Sequence, residues 1–83
     1  MEMDDISRLL EEINNDRSVP KNIRTLVSDA KSNLGNPKLE KAVKINAAIS
    51  ILDEVSNDPN IPTYTRTQIW NIVSLLEVAN EEK

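Results

Sequence analysis

The sequence predicts an all-α protein folded as an antiparallel four-helix bundle. Three observations lead there. The chain of 83 residues has one Gly, no Phe and an abundance of Leu, Ile, Ala, Glu and Lys, a composition that suits helices better than strands. Its apolar residues recur at helical spacing in four segments. The connections between those segments are too short to carry the chain anywhere but back along the preceding helix.

The first helix opens near Asp4 or Asp5, both good N-caps, and presents Ile6, Leu9, Leu10 and Ile13 on one face until "NND" ends it. The second begins near Pro20, whose missing N–H costs nothing in a first turn, and presents Ile23, Leu26, Val27, Ala30 and Leu34. Gly35 supplies its stop. Asn36 and Pro37 read as the cap and first turn of a third helix running through Leu39, Ala42, Val43, Ala47, Ala48, Ile51, Leu52 and Val55. Because "INAAISIL" is apolar nearly all round, this helix should be the most buried. The fourth runs from about Thr63 to about Ala79, with Ile69, Ile72, Val73 and Leu76 as its core stripe and "NEEK" as a tail. A compact monomer of this length has a radius of gyration of roughly 12 Å.

Shifting the chain by 42 residues aligns positions 9–34 with 51–76, and nine of the 26 pairs are identical. Five of them, Asn15/Asn57, Asp16/Asp58, Pro20/Pro62, Arg24/Arg66 and Thr25/Thr67, lie in or just after an interhelical corner. A period in the forties with two helices per unit is that of HEAT-like hairpins, but two units are too few for an open solenoid. Two hairpins, about 4–34 and 37–79, therefore close on each other. In each corner an apolar residue, Val19 or Ile61, precedes a proline that forces it to be extended, so it plugs the end of its hairpin. Asp16 and Asp58 fall where a helix C-terminus disfavours negative charge, and Arg24 and Arg66, eight residues on, can reach back to the aspartate or to the last carbonyls of the preceding helix. The alternative makes the Asp/Arg pairs a recognition site; recurrence beside turn residues favours a structural clasp.

The stretches "VPKNIRT" and "ISILDEVSNDPNIPTYTRTQIW" resemble a family of short archaeal proteins of unknown function. The resemblance implies an all-helical domain and assigns no activity or site residue.

Composition narrows the function. With no Cys and no His, thiol nucleophiles, disulfides, histidine acid–base chemistry and the usual zinc ligand sets are excluded. A net charge of −4 and pI near 4.7 disfavour direct binding to nucleic acid, which is driven by Lys and Arg. No run approaches the roughly 20 apolar residues of a membrane span, and the N-terminus is acidic, so a cytoplasmic protein is expected. Glu11, Glu12, Asp53 and Glu54 fall at equivalent repeat positions, but a carboxylate-bridged di-metal bundle also needs histidines, and the adjacent Leu10, Ile13, Leu52 and Val55 claim the inward face. Lys38, Lys41 and Lys44 with Glu40 read as a solvated face. No metal or cofactor is implied.

What remains is a non-enzymatic protein-interaction or structural module. The alternatives are an accessory subunit of a nucleic-acid-associated complex and an unrecognised carboxylate-dependent enzyme. The two halves differ in one respect that bears on this: Tyr64, Trp70, Val73 and Leu75 stand where the first half has Asn22, Ser28, Lys31 and Asn33. Tyr64, Leu75 and Val78 project to a second apolar stripe on the fourth helix, with Trp70 at the flank of the first. That surface is the candidate interface for a second copy, forming a homodimer through this helix, or for another protein.

Overall fold

Helices α1 (Met3–Asn14), α2 (Lys21–Leu34), α3 (Lys41–Ser56) and α4 (Thr63–Glu81) make up most of a computed structural model that describes residues 3–81. No strand occurs among the described residues. Each helix packs on its neighbour in the chain, and α4 also packs on α1, while the pairs α1/α3 and α2/α4 do not touch. The radius of gyration is 11.9 Å and the principal extents are 36 × 21 × 19 Å. The long dimension suits a 19-residue helix, about 28 Å at 1.5 Å per residue.

One core fills the centre. α1 contributes Ile6, Leu10 and Ile13; α2 contributes Ile23, Val27, Ala30 and Leu34; α4 contributes Thr65, Ile69, Ile72, Leu76 and Ala79. The extended corner residues Val19 and Ile61 are buried with them. α3 departs from the sequence expectation, for its buried stripe is Ile45, Ala48, Leu52 and Val55, with Ala42 exposed and Val43 50% exposed. A near-uniform apolar sequence does not reveal which side the neighbouring helices cover, and here α2 and α4 cover only one. On α4, Val73 and Leu75 are both half-buried and lean against the core. Leu75 is thus no part of an exposed stripe.

The boundaries also differ where side chains compete with the helix. α3 starts at Lys41 rather than at Asn36–Pro37. The Asn36 carboxamide oxygen accepts the Lys38 N–H at 3.0 Å and the Asn36 carbonyl accepts the Leu39 N–H at 3.2 Å, holding these residues in a turn. Asp4 and Asp5 lie inside the first turn of α1, favoured there by the helix dipole. Helix α4 continues through Asn80 and Glu81; the rest of the "NEEK" segment lies outside the described residues. Gly35 ends α2 with φ −89° and ψ 0°, its N–H on the Lys31 carbonyl, and a Cβ there meets nothing closer than 3.6 Å. It stops the helix without the left-handed conformation that favours glycine.

Candidate functional site

All three connections are six residues long, 15–20, 35–40 and 57–62, and all follow the same course of turns. The reason is one local device. The side-chain oxygen of Asp16, Asn36 or Asp58 accepts the backbone N–H two residues on, from Ser18, Lys38 and Asn60 at 2.9, 3.0 and 2.8 Å. An apolar residue follows one position later, Val19, Leu39 or Ile61. None of the described residues needs a positive φ, so a chain with a single glycine turns three times. The middle corner escapes a comparison at 42-residue offset, because Glu40 stands where the others have Pro20 and Pro62; the spacing Asx-x-x-apolar is the signal that finds it.

The two aspartates are therefore turn acceptors rather than partners of the arginines' fork. Arg66 reaches back to main chain, with Nε donating to the Ser56 carbonyl at 2.9 Å and Nη2 to the Asp58 carbonyl at 3.0 Å. Ser56 is the last residue of α3, so its carbonyl has no partner within the helix. Ser56 is itself buried, and its Oγ donates to the Asp53 carbonyl at 2.8 Å. Arg24 differs. Its Nε is buried without a hydrogen-bond partner.

Asp16 has a second ligand that the sequence did not suggest. Its free carboxylate oxygen accepts the Tyr64 hydroxyl at 2.8 Å, which ties the α1–α2 corner to the first turn of α4. The Tyr64 bond, and secondarily the Ser18 N–H, hold the Asp16 carboxyl below the usual carboxylate range. Across the α1/α2 seam the Lys31 ammonium bonds the Glu11 carboxylate and likewise depresses its pKa. Both partners are about 40% exposed, so this pair is a minor contributor to stability.

Of the candidate interface residues, Trp70 is 56% exposed, Val78 52% and Tyr64 51%. Trp70 and Val78 share the outer face of α4 with Ser74 between them at i+4. Glu12, Asp53 and Glu54 are exposed, and among the described residues no three acidic side chains converge on a point that could hold a metal ion. An open depression of about 290 Å³ lies between the end of α1 and the first turns of α2, lined by Asn14, Lys21, Arg24, Thr25, Ser28 and Asp29.

Comparison with known proteins places the chain. The model of an uncharacterised protein family, UPF0147, matches residues 1–79. A UPF0147 protein of Metallosphaera sedula is 52% identical over 73 residues, covering 88% of this chain and 82% of its own. One from Methanothermobacter thermautotrophicus is 46% identical over 76 residues, covering 92% and 74%. A crystallised protein of unknown function superposes with a TM-score of 0.87 at 51% identity, covering 90% of this chain and 85% of its own. A UPF0147 crystal structure from Thermoplasma acidophilum gives 0.87 at 36% identity, covering 92% and 89%. The all-helical fold, the near-complete coverage and these identities together show that the chain belongs to UPF0147, an uncharacterised family with members in archaea.

Proposed function

We propose that this protein is a small, non-enzymatic cytoplasmic interaction module that associates with a second copy of itself through the outer face of α4. The observation that carries the reading is the chain's sole tryptophan, 56% exposed in mid-helix with Val78 beside it. Large aromatic side chains left in water at a helix centre are characteristic of contact surfaces. Charge supports a second copy as the occupant. The chain carries a net charge of −4, yet among its 19 residues α4 has only Arg66, Glu77 and Glu81 as charged groups. Two copies can therefore meet there without opposing many like charges. The same net charge speaks against direct nucleic-acid contact, and no helix among the described residues is long and apolar enough to cross a membrane.

The architecture behind this face is an antiparallel bundle of two hairpins, about 4–34 and 37–79, related by the 42-residue repeat. Burial supports the repeat: Ile6, Leu10, Ile13, Val19, Ile23, Val27, Ala30 and Leu34 each have a buried counterpart 42 residues on, from Ala48 to Leu76. Trp70 takes the position of Ser28 in the first half and Val78 that of Asn36, so the shared core does not require them.

Sedimentation equilibrium tests the proposal. The wild type should self-associate reversibly, and Trp70→Lys and Val78→Lys should each weaken the association while leaving the unfolding midpoint nearly unchanged. Trp70 fluorescence reports the contact in the Val78→Lys protein. A wild type that stays monomeric at the highest concentrations reached removes self-association, and undiminished association of both variants removes the α4 face. Leu75→Lys is no substitute, because it would place a charge against the core.

A further inference from the structure

Arg24 and Arg66 stand 42 residues apart, each eight residues beyond a corner aspartate, yet only one is clasped. Arg66 gives Nε and Nη2 to the Ser56 and Asp58 carbonyls, whereas Arg24 Nε is buried with no acceptor. A buried charged donor left unpaired is costly, and the cost is relieved by whatever supplies an acceptor. The unclasped arginine also forms part of the wall of the 290 Å³ depression. The residue at i+4 explains why the hollow exists here. Ser28 stands where the second half has Trp70, so a hydroxymethyl group replaces an indole.

The hollow's charge is opposite to that of the whole protein. Lys21 and Arg24 lie one turn apart on α2 with Thr25 and Ser28 on the same face, and Asp29 is the one acid in the lining. The local balance is +1 within a chain of net charge −4. Thr25 uses its hydroxyl hydrogen on the Lys21 carbonyl at 3.1 Å, which leaves Lys21, Ser28 and the Asn14 carboxamide as donors around the guanidinium.

We propose that this depression is a binding site for a single carboxylate group. Arg24 serves as the fork, since its planar guanidinium matches a carboxylate with two parallel N–H bonds. A small swing of the side chain brings the unpartnered Nε into use, and Lys21 adds a second cation. The negative charge of Asp29 selects a monoanion over a doubly charged phosphate. The carboxylate can come from a small free acid or from an acidic side chain of a peptide, and the chemistry that recognises it is the same. This site stands on α1 and α2 and does not depend on the α4 contact.

The test is a titration of the ¹⁵N-labelled protein at low ionic strength, followed through the Arg24 Nε–H resonance and the Ser28 amide. One arm adds sodium propionate, a second a blocked tripeptide with one Glu, and a third inorganic phosphate. The expected result is a saturable shift with at least one carboxylate probe, with Kd on the order of 10 mM for one such group. Saturation by propionate and peptide alike identifies a free-acid site; saturation by the peptide alone identifies an acidic-peptide site. Arg24→Gln should weaken binding at least about tenfold. Ser28→Trp, which fills the hollow as its counterpart does in the second half while leaving every charge in place, should abolish it. The amide spectrum of each variant reports its fold independently. Absence of saturation by both carboxylates at about 100 mM overturns the proposal. So does phosphate binding as tightly as carboxylate, or a folded Arg24→Gln protein that binds like the wild type.

Discussion

Replacing Arg66 by alanine removes two hydrogen bonds from one side chain, Nε to the Ser56 carbonyl at 2.9 Å and Nη2 to the Asp58 carbonyl at 3.0 Å. Bonds from a charged donor are worth about 1.5–3 kcal/mol each. Arg66 is only half-buried, so water recovers part of the loss at Asp58. The Ser56 carbonyl fares worse, because it ends α3 on a buried residue and has no helical acceptor role left to fill. The combined cost should be about 2–3 kcal/mol, a large share of the roughly 4–12 kcal/mol that a chain of this length possesses. Urea unfolding followed by far-UV circular dichroism reads this directly. With a slope near 1 kcal/mol per molar, the Arg66→Ala midpoint should fall by about 2 M. Arg24→Ala is the internal control: Arg24 Nε makes no bond, so the loss should stay under about 1 kcal/mol, mostly from its aliphatic stem. The reasoning is refuted if the two variants unfold together, or if Arg24→Ala is the less stable.

The remaining expectations concern a buried hydroxyl and an acid-side titration. Thr65 is fully buried and its Oγ1 has no hydrogen-bond partner, so Thr65→Val should raise stability by about 1 kcal/mol; a lower melting temperature would show that the hydroxyl is satisfied after all. Asp16 and Glu11 both have folded-state pKa values depressed below the ordinary carboxylate range, by Tyr64 and Lys31 respectively. Such groups contribute stability above their unfolded pKa, near pH 4, that is lost as pH falls through the depressed folded values. Tyr64→Phe should therefore bring the Asp16 carboxyl back toward the ordinary range in a ¹³C-detected titration and flatten the acid limb of stability against pH; an unmoved Asp16 would refute the bond.

Much of this fold follows from sequence alone, and the reason is physical. Apolar residues at 3.6-residue spacing commit a segment to a helix wherever it packs, so Ile6, Leu10, Ile13, Ile23, Val27, Ala30 and Leu34 were legible as core before any neighbour was known. A proline after an apolar residue forces extension from local sterics, which is why Val19 and Ile61 were legible as buried corner residues. The exposure of Trp70 and Val78 followed from the same projection.

Tertiary structure decided what periodicity leaves ambiguous. α3 is apolar on too many sides for its sequence to choose a face; only the positions of α2 and α4 leave Val43 in water and draw Ile45 inward. Leu75 projects away from the main stripe, yet it leans on the core because the helices flanking α4 reach around it. The corner chemistry shows the division most clearly. Sequence placed Arg66 within reach of both the Asp58 carboxylate and the helix-end carbonyls, and the fold chose the carbonyls because the carboxylate was already occupied by the Asn60 N–H. The Tyr64 hydroxyl on Asp16 spans 48 residues of chain. No local rule reaches that far: the bond exists only because closing four helices into one core brings the start of α4 to the corner between α1 and α2.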